Sequence, residues 1–148
     1  MIIKNAKIFT MDDRRVIENG TVVIENGKIT YVGEDVFEGD DVIDAEGCIL
    51  MPGLIDAHTH LGMIEDSLTF EGDDLNEETS PVTPQLSSLD GINPFDACFA
   101  DAYRAGVTSV CTGPGSANPV SGMSVLIKTY GKTVDSMAVL SPATMKFA

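Results

Sequence analysis

The sequence predicts an α/β protein whose amino-terminal third consists of strands alone. Two observations carry this prediction. The stretch "TVVIENGKITYVG" places β-branched runs on both sides of Asn26-Gly27, a pair that tolerates the positive φ angles of a type I′ hairpin turn. Between residues 53 and 113 a strand, a loop, a helix and another strand follow one another, which is a βαβ unit and implies a parallel pair.

The amino-terminal strands continue beyond the hairpin. Two more short apolar runs lie around Ile43 and Ile49, before the Pro52-Gly53 break. We therefore expect residues 1–51 to form a small antiparallel sheet or half of a β-sandwich, and residues 52–148 to form a second domain.

The second domain is expected to contain a long loop and one clear helix. Residues 61–93 are acidic and have no usable period, which predicts a structureless loop that is functional or mobile. A helix is predicted over residues 94–105, with Asn93 as its N-cap and Gly106 after its end. Its expected apolar face consists of Phe95, Cys98, Phe99, Ala102 and Tyr103.

The carboxy-terminal segment predicts more short elements. "MSVLIKTYG" and "TVDSMAVL" are typical of strands, and Ser141-Pro142 resembles the start of a helix that ends with the chain.

Charge and composition exclude several classes of partner. The chain of 148 residues has a net charge of −14, and residues 29–103 contain no lysine or arginine. Nucleic-acid binding requires the opposite sign. No apolar run is long enough for a membrane span, and the start lacks the features of a signal peptide. Three scattered cysteines do not form a disulfide framework, so we expect a cytoplasmic protein.

Both histidines of the chain lie in one short segment, "MPGLIDAHTHLG". Side chains two residues apart on a strand share a face, so His58 and His60 project side by side, and Asp56 joins them. Two imidazoles so placed can bind one metal ion, and Asp56 could accept the second N–H of a histidine and fix its tautomer. The alternative is two unrelated histidines near a turn.

The context of this motif resembles the amidohydrolase superfamily. "PGLIDAHTHLG" is similar to the metal-binding signature of that superfamily, and "IENGKITYVGE" with "VIDAEGCILMPG" resembles its small sandwich domain. "AGVTSVCTGPGSANPVSG" resembles the second barrel strand and its loop. The similarity is strongest to the branch of imidazolonepropionase-like and dipeptidase-like hydrolases.

The resemblance implies the start of a (β/α)8 barrel of the TIM type, with His58 and His60 binding one of one or two divalent metals, expected to be zinc. It implies hydrolysis of a cyclic amide or an amide or peptide-like C–N bond by metal-activated hydroxide. The implied partner is a small amide or dipeptide-like substrate. A deaminase on the same barrel is the alternative, and a non-catalytic β-rich binding module is the rival from another class.

The sequence also departs from the family. A barrel needs about 250 residues. The bridging lysine or carboxylate, the two later histidines and the late aspartate have no counterparts, so no catalytic residue is assigned within this chain. We expect an amino-terminal third that is inactive without the missing carboxy-terminal portion. Open strand edges predict self-association into a homo-oligomer.

Two further segments have alternative interpretations. The loop with Gly113, Gly115, Ser116 and Asn118 could offer backbone N–H groups to a substrate, although a tight strand exit is more common. The acidic run from Glu65 to Glu78 could bind a cationic substrate or calcium, but a solvated lid or disordered loop is favoured.

Overall fold

The computed structural model describes residues 1–65 and 68–148, which divide into two compact units, Met1–Pro52 and Gly53–Ala148. Asp66, a member of the predicted acidic run, lies outside the described residues. Both units consist mainly of mixed sheets with few helices.

The amino-terminal unit is built on one mixed sheet. Its strands are β1 (Ile2–Phe9), β2 (Val16–Glu25), β3 (Lys28–Gly33), β4 (Val42–Asp44) and β5 (Ile49–Leu50). The order is β3-β2-β1-β4, and β5 also pairs with β1. The alternating apolar side chains of β1 and β2 bury one face, on which Ala6, Ile8, Ile17 and Val22 form the core.

The hairpin prediction is confirmed, but the prediction of an antiparallel sheet is wrong. Asn26 and Gly27 have φ angles of 51° and 73° and join two antiparallel strands. By contrast, β4 and β5 run parallel to β1. The connection after β3 is long enough to bring the chain back alongside β1 in the same direction, which a short hairpin cannot do.

The carboxy-terminal unit contains a four-stranded sheet and a separate strand pair. Its strands are β6 (Leu54–Thr59), β7 (Val107–Thr112), β8 (Val120–Met123), β9 (Val125–Lys128), β10 (Ala138–Leu140) and β11 (Met145–Phe147). The larger sheet has the order β10-β9-β7-β6, and β8 pairs with β11. β6 and β7 are parallel, as the βαβ pattern predicts, whereas β9 is antiparallel to β7.

The helix between β6 and β7 is shorter than predicted. α1 spans Ala97–Arg104, and its N-cap is Asp96, whose carboxylate accepts the N–H of Cys98. Asn93 instead closes a turn by accepting the N–H of Phe95, which stays 82% exposed. Phe99 is the helix residue that is buried in the core. No helix in the described ranges has the length and apolar character needed to cross a membrane.

The described part of residues 61–93 is a long connection without an α-helix or a named β-strand, but it is packed against the rest of the unit rather than structureless. Short 3₁₀ helices span Phe70–Gly72 and Ser88–Asp90, and Met63 and Ile92 belong to the core of this unit. Hydrogen bonds join the segment to residues 115–123. These long-range contacts replace the local periodicity that the sequence lacks.

Near the carboxy terminus one prediction is wrong and one holds only in part, since the end of "TVDSMAVL" does form the strand β10. "TVDSMAVL" contains the short helix α2 (Val134–Met137) before β10, because Thr133 and Ser136 form a capping box. The segment after Ser141-Pro142 forms β11 rather than a helix, since its backbone pairs with β8.

Two glycines provide a matched test of this packing. Gly62 and Gly106 both have positive φ angles, 83° and 87°. A Cβ atom on Gly62 would lie 2.8 Å from the buried Phe99 ring, whereas none of the described atoms lies within 4 Å of a Cβ on Gly106. We expect Gly62→Ala to lose about 1–3 kcal/mol more unfolding free energy than Gly106→Ala, measured by urea denaturation. Equal losses would show that backbone strain alone decides both.

Candidate functional site

The two histidines lie at the carboxyl end of an edge strand. β6 pairs with β7 on one side only among the described strands, and His60 directly follows its last residue. The imidazole rings of His58 and His60 are close, with ring centroids 5.6 Å apart and planes inclined by 76°. The prediction that the two rings share one side of the strand is therefore met by their geometry.

A backbone carbonyl fixes the orientation of one ring. Nδ1 of His60 lies 2.7 Å from the carbonyl oxygen of Gly113, the residue that follows β7. A carbonyl oxygen only accepts hydrogen bonds, so Nδ1 must carry the proton. Nε2 of the neutral ring is then left as a lone-pair donor, which is the form that binds metal ions.

The Asp56 carboxylate contacts the main chain of the histidine segment, and its predicted contact with a histidine ring stays a prediction. The carboxylate accepts the backbone N–H of His58 at 3.1 Å, two residues along the same strand. It therefore shapes the main chain beneath the histidine pair, whereas the ring of His60 is oriented by the Gly113 carbonyl. A local turn of this kind is available to any exposed aspartate, which is why spacing alone could not distinguish the two roles.

A cavity of about 390 Å³ adjoins His58. Cys111 and Lys146 line it together with His58. The amine of Lys146 forms no ion pair with any carboxylate in the described residues. Sequence reasoning missed Lys146. The pairing of β11 with β8 brings it to the cavity, and no local sequence pattern predicts that strand.

The predicted substrate loop is largely occupied by the protein itself. The N–H of Gly113 donates to Thr59, and the N–H of Gly115 donates to Leu75. The side-chain amide of Asn118 is buried and donates to the carbonyl of Glu77. These contacts favour the alternative of a tight strand exit, and a substrate contact through this loop, where Ser116 is exposed, stays a prediction.

The histidine pair fits part of a metal site. Two imidazoles with one fixed tautomer can provide two nitrogen ligands at about 2.0–2.1 Å from zinc. No group of three histidine, cysteine, aspartate or glutamate side chains in residues 1–65 and 68–148 is arranged to hold a metal ion. A catalytic zinc generally has three protein ligands, so a ligand of another kind is needed.

Known proteins are similar to this chain in sequence, and one solved structure is similar to it in fold. The crystal structure of an amidohydrolase from Thermotoga maritima superposes with a TM-score of 0.91 and 40% identity, covering 99% of this chain and 38% of that one. The 5′-deoxyadenosine deaminase of Methanosarcina barkeri is 54% identical over 116 residues, which are 74% of this chain and 27% of that protein. The imidazolonepropionase of Staphylococcus aureus is 49% identical over 53 residues, 34% of this chain and 13% of that protein.

No family model matches the sequence. The chain spans less than a third of the length of each of these curated relatives.

The tautomer of His60 provides a direct test of the site geometry. We expect the ¹⁵N spectrum of the neutral ring to show a protonated Nδ1 and an unprotonated Nε2, because the Gly113 carbonyl can only accept. Histidine-selective ¹⁵N labelling with two-bond correlation spectra measures this. His58 is the internal control, since no ring hydrogen bond in the described residues fixes its tautomer. A protonated Nε2 on neutral His60 would contradict the assignment.

Proposed function

The chain is homologous to the amidohydrolases, and on that premise we propose that it supplies the histidine pair of a metal-dependent hydrolase that cleaves C–N bonds of small molecules. The observation that carries the proposal is the hydrogen bond from Nδ1 of His60 to Gly113, which leaves Nε2 available as a ligand. A solvated pair of surface histidines would need no such bond.

His58 and His60 would hold the metal through their ring nitrogens. A divalent metal, expected to be zinc, supplies Lewis-acid activation of water and of the scissile group when it is bound. The chain's own residues do the rest of the positioning. Asp56 holds the backbone of the strand end, and the Gly113 carbonyl fixes the ring of His60.

Lys146 is a candidate for the further metal ligand that the histidine pair requires. Lys146 and His58 line the same cavity. We propose that the neutral amine adds to carbon dioxide, forming an N–C bond and releasing a proton, so that the lysine carries an anionic carbamate. This change converts a cation into an oxygen donor of the type that divalent metals accept. Sequence analysis expected no counterpart of the bridging lysine in this chain. We now propose Lys146 as that counterpart.

Two classes of substrate follow from the relatives. The first is a cyclic amide or an amide or peptide-like bond, in keeping with the similarity to an imidazolonepropionase. The second is deamination, which is favoured by the 54% identity to a 5′-deoxyadenosine deaminase over 74% of this chain. Both reactions are hydrolyses of C–N bonds.

Activity is proposed for a longer protein of which this chain is a part. The Thermotoga maritima structure is covered to only 38% by this chain, and a barrel of about 250 residues needs more strands than those present. The residues described here would contribute two histidines and Lys146, and the remaining chain would contribute the general base. Homo-oligomerisation and a cytoplasmic location stay predictions.

Metal binding is the first test of the histidine pair. We expect His58→Ala and His60→Ala each to weaken zinc or cobalt binding at least about tenfold, because each change removes one of the nitrogen ligands. Metal titration followed by the visible spectrum of cobalt measures this. Asp56→Asn is the matched control and should leave the affinity unchanged, since an amide oxygen still accepts the His58 N–H.

The longer protein then decides between the substrate classes. Ammonia release from adenine nucleosides would support the deaminase, and ring opening or amide cleavage would support the first class. Full activity in the double His58→Ala and His60→Ala variant would refute the proposal for both.

A carbamate on Lys146 predicts a distinctive signal. With ¹³C-labelled bicarbonate and zinc present, we expect a carbamate resonance in the ¹³C spectrum that is lost in Lys146→Arg, because a guanidinium does not add to carbon dioxide. Lys132→Arg is the control, since Lys132 is an exposed lysine outside the described cavity lining. A signal that survives Lys146→Arg would assign the carbamate elsewhere.

A further inference from the structure

Three hydrogen bonds join the ends of β6 and β7 at consecutive residues of β6 and its exit. The N–H of Gly113 donates to the carbonyl of Thr59 at 3.1 Å. The His60 ring donates through Nδ1 to the carbonyl of Gly113 at 2.7 Å. The hydroxyl of Thr112 donates to the carbonyl of Leu61 at 2.8 Å. The main chain is therefore held directly before and directly after His60, with the bond of the ring between them.

The Thr112 hydroxyl is the member of this set whose role is not yet assigned. Thr112 is the last residue of β7 and is fully buried. Its acceptor lies 51 residues away in sequence, in the segment that leaves β6. Among the described residues, Thr112 is the one hydrogen-bond donor to the Leu61 carbonyl. Removal of the hydroxyl would release this carbonyl from β7.

The end of β7 is the firmer of the two segments that these bonds join. Thr112 pairs with the fully buried Val125 of β9 on the side away from β6. A Cβ atom on Gly113 would lie only 2.6 Å from the Cβ atom of Ser124, so the exit of β7 is closely packed. In contrast, β6 has a neighbour on one side only among the described strands. A hydrogen bond between the two segments therefore positions the exit of β6.

His58 is not held in this way. The register of β6 with β7 is irregular between Asp56 and Thr59, so the main chain at His58 lies outside the regular pairing. The N–H of His58 donates to the Asp56 carboxylate of its own strand. The contacts from β7 therefore act on His60 and not on both histidines equally.

We propose that Thr112 is a positioning residue for His60. Its hydroxyl fixes the Leu61 carbonyl against the end of β7, so the main chain after His60 cannot rotate away from Gly113. The ring then keeps its bond to the Gly113 carbonyl, and Nε2 keeps one direction. The effect on the ring follows from this geometry alone, whereas its benefit to metal binding rests on the proposed function.

A second buried threonine provides a matched control at the other end of β7. Thr129 is 2% exposed, and its hydroxyl donates at 2.8 Å to the carbonyl of Val107, the first residue of β7. Substitution by valine removes the hydroxyl and keeps the branched shape in both cases. We expect Thr112→Val and Thr129→Val to lower the stability against urea by similar amounts, because each loses one buried hydrogen bond.

The tautomer of the ring separates positioning from stability. At a pH where both rings are neutral, we expect the two-bond ¹⁵N correlation spectrum of Thr112→Val to show His60 as a mixture of the two tautomers. His58 should change less, and Thr129→Val should leave both rings as they are in the unchanged chain. Thr112→Ser keeps the hydroxyl and should restore the single tautomer of His60. An unchanged His60 ring in Thr112→Val, or an equal change in Thr129→Val, would overturn the proposal.

Cobalt titration measures the consequence for metal binding. We expect Thr112→Val to weaken cobalt binding about two- to tenfold, the range that one neutral hydrogen bond contributes. Thr129→Val and Thr112→Ser should bind as the unchanged chain does, and an equal loss in Thr129→Val would overturn the proposal. Unchanged cobalt binding in the double His58→Ala and His60→Ala variant would refute the proposed function, while the altered His60 ring of Thr112→Val would still support the positioning role.

A measurement on the unchanged chain covers the case that Thr112→Val does not fold. We expect the hydroxyl proton of Thr112 to exchange slowly with water, because it is buried and bonded to Leu61. A resolved hydroxyl signal in the proton spectrum of threonine-labelled chain, with a nuclear Overhauser effect to residues 61–62, would support the proposal. A hydroxyl proton that exchanges freely with water would overturn it.

Discussion

The parallel pairing of β6 with β7 is the constraint on which the rest of the carboxy-terminal unit depends. Parallel strands end at the same edge of a sheet, so the segments that leave β6 and β7 are brought together there. His60 leaves one strand and Gly113 leaves the other, and the hydrogen bond between them closes this edge. The described part of the connection after residue 60 then packs against the segment after Gly113, and the cavity lined by Met63, Asp74 and Pro114 lies between them.

What could be predicted from sequence was local. The Asn26-Gly27 turn depends on two residues whose φ angles are readily positive, and the His58 and His60 rings share a face because of the two-residue period of a strand. The resemblance to the amidohydrolases is confirmed by the relatives and by the Thermotoga maritima structure. In each case the signal lay in short continuous stretches of sequence.

What could not be predicted depends on partners far along the chain. Lys146 reaches the histidine cavity because β11 pairs with β8, and Asn118 holds the segment near Glu77 across 41 residues. The N-cap of the helix is Asp96 and not the predicted Asn93. Both residues can close a local turn, so tertiary packing decides which of them begins the helix. The periodicity of the local sequence does not predict contacts of this kind.

The acidic character of the chain has different meanings in different places. Asp12 is held by Arg14 in a local hydrogen-bonded pair, and Asp44 is held by the side chain of Asn5. Both contacts lower the pKa of the carboxyl, and both lie on the amino-terminal unit. Asp73, Asp74, Glu77 and Asp90, in the other unit, form no ion pair with any described residue. Net charge alone therefore does not show which carboxylates are held by a neighbouring cation.

The bond between His60 and Gly113 spans 53 residues, and this separation has a kinetic consequence. Closing a loop costs entropy that grows with its length, and contacts of high sequence separation slow folding. The pairings among β7, β9 and β10 close short loops, whereas the pairing of β6 with β7 closes a much longer one. The histidine pair therefore lies on the strand whose pairing has the highest loop-closure cost in its sheet.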